Sequence, residues 1–106
     1  MSVVKIKSGD TRPFDAVLTA NQQPVNLTGA TVAFHMIPRA PGGTTVLAAG
    51  VVLDPVKGQV RYVWRPGDLS VPGLYWGEFQ VTFADGTIET FPNGENIAIE
   101  VVAALG

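Results

Sequence analysis

An all-β sandwich is the fold class that this sequence predicts, and three observations predict it. Twelve Gly and eight Pro interrupt the chain at short intervals. The segments between them are rich in Val, Ile, Thr and Phe, which fit a pleated, half-buried surface. Within those segments apolar and polar side chains alternate with period 2, and no segment of useful length shows a helical period.

Each strand follows from that alternation. The first is expected at 2–7, where Lys5 and Lys7 alternate with Val4 and Ile6, a common way to protect a free sheet edge. Strand 12–20 places Phe14, Ala16 and Leu18 on one face, and the turn "NQQP" ends it. Strand 30–37 does the same with Val32, Phe34 and Met36, and "PRAPGGTT" at 38–45 reads as a mobile loop. The segment 45–53 contains the longest uninterrupted apolar run, Val46 to Leu53. Two readings of it stand: a buried central strand with a Gly bulge, or a strand completed by a neighbouring subunit.

After "DPVKG", strand 58–65 aligns Val60, Tyr62 and Trp64. After "RPGD", strand 73–84 aligns Tyr75, Phe79, Val81 and Phe83 on one face and Trp76, Glu78, Gln80 and Thr82 on the other. Asp85-Gly86 then predicts a two-residue type I′ hairpin into strand 87–91, with Phe83 across from Ile88 and Gln80 across from Phe91. The last strand, 96–103, follows "PNGEN" and aligns Ile97, Ile99 and Val101.

The segment around Asp68, Pro72, Gly73 and Tyr75 resembles the tyrosine corner of immunoglobulin-like sandwiches, in which a Tyr opening a strand donates its hydroxyl to upstream backbone. The expected fold is therefore an immunoglobulin-like antiparallel β-sandwich of about seven to eight strands. At 106 residues it is expected to form a single domain, 1–106, that buries about two-thirds of its unfolded surface without staples.

Composition narrows the function. The chain has no Cys, which removes disulfides and thiolate metal sites. Its net charge is −2 and its seven Lys and Arg are scattered, so nucleic acid is not an expected partner. No stretch has the length of a signal peptide core or a membrane span, so the chain is expected to be soluble, unprocessed and free of membrane. His35 is the single histidine and has no nucleophile or second ligand near it in sequence, which favours a structural or surface role over a triad or zinc site. Asp10, Asp15, Asp54, Asp68 and Asp85 lie mostly at turns, where carboxylates cap backbone amides. Calcium held between loops is the alternative for them, although no EF-hand spacing exists. No catalytic residue, cofactor site or metal site is expected. "NLT" at 26–28 matches a glycosylation triplet without the secretory signal that would give it meaning.

Two groups remain as candidate interface residues. The expected hairpin register puts Trp76 and Phe91 on the face away from the core, as an interface anchor or a sugar-stacking platform to which Tyr62 would add. The alternative is that another strand, or the second sheet, covers them. The second group is the apolar C-terminal tail, with Val101, Val102 and Leu105, which either contacts a partner or completes the core.

One family likeness runs through these residues. "GDTRPFDAVLTANQQPVNLTGATVAFHM", followed by "GQVRYVWRPGDLSVPGLYWGEFQVTFADGTIETFPNG", resembles the N-terminal domain of the phage baseplate upper protein family, from Gly9 to about Val102. Its most specific parts are "VNLTGATVAF", Tyr62-x-Trp64, Gly67-Asp68, Pro72-Gly73-x-Tyr75 and "VTFADGTIETFPN". The resemblance implies a non-enzymatic attachment module of the tail, baseplate, neck or head, made in the host cytoplasm and built into the virion. It also implies other phage structural proteins as partners and a homo-oligomer. A carbohydrate-binding or adhesion module of the virion surface is the competing reading. Full baseplate upper proteins carry further segments that hold receptor-binding proteins, and this chain stops at Gly106, so receptor scaffolding is not expected of it.

Overall fold

The computed structural model describes residues 3–92 and 96–105. Its strands are β1 (Val3–Lys7), β2 (Phe14–Val17), β3 (Thr19–Ala20), β4 (Gln23–Pro24), β5 (Thr31–Pro38), β6 (Val46–Ala49), β7 (Val51–Asp54), β8 (Gln59–Tyr62), β9 (Gly73–Thr82), β10 (Ile88–Phe91) and β11 (Ile97–Val102). A six-stranded sheet runs β1-β11-β9-β5-β6, with β10 also paired to β9, and a three-stranded sheet runs β2-β8-β7. The two sheets face each other across one core, so the fold is an all-β sandwich.

The strands lie where period 2 put them, and their number among the described residues rises from eight to eleven because two expected strands divide and β4 forms within the expected turn "NQQP". Leu18 turns out of the β2 ladder, and a tight hairpin pairs β3 with β4 through Asn21 and Gln22 at φ 52° and 66°. The apolar run 46–53 is neither a buried central strand nor a single strand. Gly50 carries the chain from the edge of the larger sheet (β6) to the edge of the smaller one (β7), and its N–H donates to Val32 O at 2.8 Å. One pair departs from the antiparallel expectation: β1 lies parallel to β11. A parallel pair needs a long crossover, which the whole intervening chain supplies.

The hairpin after β9 corrects the expected register. Phe83 N–H donates to Thr87 O at 2.8 Å and Gly86 N–H to Phe83 O at 2.9 Å, enclosing Ala84, Asp85 and Gly86. This is a three-residue loop with Gly86 at φ 88° in the left-handed region, not a two-residue turn. The extra residue shifts the ladder by one, so that Ile88 faces Thr82 and Phe91 faces Phe79. A one-residue shift moves a side chain to the other face of the sheet. Phe91 therefore points into the core, where it is 1% exposed.

The core centres on Phe34, whose ring lies 4.7 Å from Tyr62, 5.1 Å from Phe79, 5.7 Å from Trp64 and 5.8 Å from Phe14 between centroids. Val32, Met36, Val46, Val60, Val81, Ile99 and Val101 complete the layer. Gly58 closes the β7–β8 turn at φ 67°, where an added Cβ would lie 2.6 Å from Leu18 O and 3.0 Å from Val25 O. Those oxygens are backbone and cannot swing away. Gly58→Ala is expected to cost about 3 kcal/mol or more, from left-handed strain plus the collision. A denaturant midpoint equal to that of the wild type would contradict this packing.

Candidate interaction surface

β9 builds the site, because its successive residues project to opposite faces of the larger sheet. Tyr75 points inward and is buried, and Gly73, which opens the strand, has φ 151°. The Tyr75 hydroxyl donates to Val71 O at 2.7 Å and accepts the Thr44 N–H at 3.2 Å. The loop expected to be mobile is thus tied down at Thr44. Pro72 is exposed and precedes the strand. Asp68 stands apart from Tyr75. Its buried carboxylate accepts the Tyr62 hydroxyl and, at 2.8 Å, the Arg65 N–H, with the Arg65 guanidinium 3.8 Å away. Burial, followed by the Asp68 carboxylate, pushes the Tyr62 phenol up to about 12.

Trp76 points outward and is half-buried. The Arg39 guanidinium carbon lies 3.6 Å from the centre of its ring, a cation–π stack. Arg39 is held there because its N–H donates to Leu74 O at 2.9 Å. By register, Ala98 and Ile37 flank Trp76 on the neighbouring strands, and Val3 follows Ala98 on β1. Ile37, Leu74 and Val3 are exposed. The result is an apolar row across β1, β11, β9 and β5 with an aromatic–arginine pair at its middle. Lys5 opposite Glu100 and His35 beside Glu78, with Nδ1 to Oε1 at 3.3 Å, flank it above and below.

The other expected interface residues divide. Phe91 and Val101 are core residues and cannot anchor a partner, and Tyr62 is 1% exposed, so no three-aromatic sugar platform exists. Val102 is half-buried, faces Lys7 across the β1–β11 ladder and accepts the Ser8 N–H at 2.8 Å. Leu105 is fully exposed. The apolar tail therefore splits after Val102 into a part that completes the sheet and a part that leaves it. Arg39 escaped the sequence reading, and its signal was weak: a lone cation two residues after an outward Ile37.

The turn carboxylates act locally. Asp10, Asp54 and Asp85 accept the N–H of Lys7, Lys57 and Thr87 at 3.3, 3.2 and 3.0 Å. Asp15 instead makes a two-pronged pair with Arg61 at 2.7 and 3.0 Å, and that hydrogen bonding holds its carboxyl below the usual range. Among the described residues no three His, Asp or Glu side chains converge as metal ligands. A cleft of about 620 Å³ lies between Ser8–Thr11 and Trp64–Ser70, with Asp10 and Arg65 as its ionisable lining. Trp64 Nε1 is buried without a partner among the described residues.

Residues 2–105 match the BppU N-terminal domain, the N-terminal domain of phage baseplate upper proteins. The chain belongs to that family. It is a bacteriophage baseplate structural domain, and a component of the virion. Among solved structures, the chain is similar to the N-terminal domain of phage TP901-1 ORF48, with a TM-score of 0.67 and 18% identity over 96% of this chain and 84% of that one. At that identity the likeness concerns the fold. No curated protein matches the chain.

Two outcomes test the buried polar groups of this baseplate domain. Tyr75→Phe is expected to cost about 1 kcal/mol through its lost hydrogen bonds, and Tyr75→Ala about 3 kcal/mol or more with the cavity added. Equal denaturation midpoints for all three proteins would remove the corner from the account. The raised Tyr62 pKa gives a pH dependence. The unfolded phenol loses its proton near pH 10 and the folded one only near 12, so the folded state holds more protons between them. Stability from this group is complete below about pH 10 and is lost as pH rises to about 12. Denaturation followed across that range should show a shallower fall for Tyr62→Phe than for the wild type.

Proposed function

We propose that this domain is a non-enzymatic attachment module that binds another virion structural protein through the outer face of its larger sheet. The observation that carries the reading is the Trp76–Arg39 stack amid Ile37, Leu74 and Val3 on a face that the fold itself leaves uncovered. Trp and Arg are enriched among the residues that dominate binding energy at protein interfaces: Trp buries a large rigid area, and the planar Arg guanidinium stacks on it while keeping its N–H donors free at the edge. The row around them is apolar enough to desolvate, and its charged margins, Lys5 with Glu100 and His35 with Glu78, set orientation. Binding proceeds by packing, with no turnover. The protein is made in the host cytoplasm, and its copies form a homo-oligomer in the assembled particle.

The test uses particles assembled by a phage whose own copy of the gene is deleted, with the protein supplied in trans. Trp76→Ala and Arg39→Ala are expected to keep the wild-type circular dichroism spectrum and to lower the amount of this protein per purified virion by tenfold or more. A control change just past the end of β8, Val63→Ser, should leave incorporation unchanged. Wild-type incorporation of both face variants would overturn the reading.

A further inference from the structure

We infer that β6 is a self-pairing edge, through which two copies of this chain join their larger sheets antiparallel about a two-fold axis at Ala48. The inference rests on the reading that copies associate and names the surface by which they do so. It begins with the backbone. Gly50 N–H donates to Val32 O, and the β5–β6 register continues with Ala48 opposite Phe34 and Val46 opposite Met36. Antiparallel ladders alternate, so Gly50, Ala48 and Val46 direct their N–H and C=O groups at β5, while Leu47 and Ala49 direct theirs outward. Those outward groups need an extended chain or water.

The other edges of the two larger sheets are protected, and this one is not. β1 alternates Lys5 and Lys7 along its length, β2 carries Asp15 beside Arg61 after Pro13, and β10 carries Glu89. β7 runs into a register shift at Asp54 followed by Pro55. β6 has no charge, no Pro and no bulge, and Leu47 is 66% exposed on it. A two-fold axis brings like residues together, so a charged edge would repel its own copy. An uncharged edge does not.

The side chains choose the register. With the axis at Ala48, Leu47 of one copy exchanges both backbone hydrogen bonds with Ala49 of the other, and Ala49 with Leu47. On the outer face the exposed Leu47 then lies beside a methyl group. On the inner face Ala48 meets Ala48, a non-hydrogen-bonded pair with Cα atoms about 4.5 Å apart that only small side chains fill easily. Val46 faces Gly50, where the chain leaves for β7 and the pairing ends. Large residues thus meet small ones throughout.

The absence of native Cys makes the test direct. Under mild oxidation Ala48→Cys is expected to give a covalent dimer in high yield, because the paired Cα distance falls in the disulfide range. Val63→Cys, exposed just past the end of β8, should give none. Light scattering over a micromolar-to-millimolar series should show a dimer for the wild type and at least a tenfold weaker one for Leu47→Lys, whose spectrum stays folded because the side chain is already in solvent. A wild type that is monomeric throughout, a Leu47→Lys dimer of unchanged strength, or equal cross-linking at positions 48 and 63 would each overturn the inference. A monomer that still enters virions through Trp76 would overturn self-pairing alone and leave the attachment reading standing. A monomer whose edge captures an extended peptide would assign β6 to a different chain.

Discussion

The sandwich depends on the ring of Phe34. It comes from β5 in the larger sheet and touches Tyr62, Trp64 and Phe14 from the smaller sheet side, and Phe79 from β9. Each contact is worth only about 0.5–1.5 kcal/mol beyond area burial, but the geometry of one ring among four fixes how far apart the sheets sit and how they are rotated. The aliphatic layer of Val32, Val60, Val81 and Ile99 then fills a space whose dimensions are already set. Gly77 on β9 fits this spacing, because a Cβ there would lie 2.7 Å from Ile99 Cδ1 and 3.4 Å from the Phe34 ring.

Apart from Trp64 Nε1, the polar side-chain groups of this core stand in closed arrangements. Tyr62 lends its ring to Phe34 and its hydroxyl to Asp68, and Asp68 in turn fixes the backbone of Arg65. The segment between β8 and β9 is thereby bound at its start by Asp68 and at its end by the Tyr75 hydroxyl on Val71 O. It needs no regular structure of its own, since the orphaned groups that would otherwise cost about 1–3 kcal/mol each find side-chain partners.

Most of the fold was legible because one face of nearly every strand is buried, and burial writes itself into the sequence as alternation. Phe14, Phe34, Tyr62, Trp64, Phe79 and Ile99 all lie where parity placed them. The parts that escaped are those decided by a single residue of backbone geometry. Asp85-Gly86 carries the same letters in a two-residue turn and in a three-residue loop, and only the hydrogen bond from Phe83 to Thr87 separates them. That difference moved Phe91 from the candidate surface to the core. Gly50 reads equally as a bulge or a crossing, because periodicity has no information about which sheet a strand joins. The outward placement of Trp76 was legible from parity, whereas its Arg39 partner depends on how a loop folds back, which no local pattern encodes.

Tyr75 and Trp76 are neighbours in sequence that face opposite sides of the sheet, and each holds one end of the same loop. Trp76 stacks on Arg39 outside, and Tyr75 receives the Thr44 N–H inside. The loop is a strap buckled at both ends over the rim of β9. Its tolerance to genetic drift is therefore narrow: Gly42 sits at φ 93° and Gly43 has no room for a Cβ beside Pro38, and a residue gained or lost between the two buckles unfastens one of them. Loop length, together with the two glycines, is what this corner of the sandwich can least afford to change.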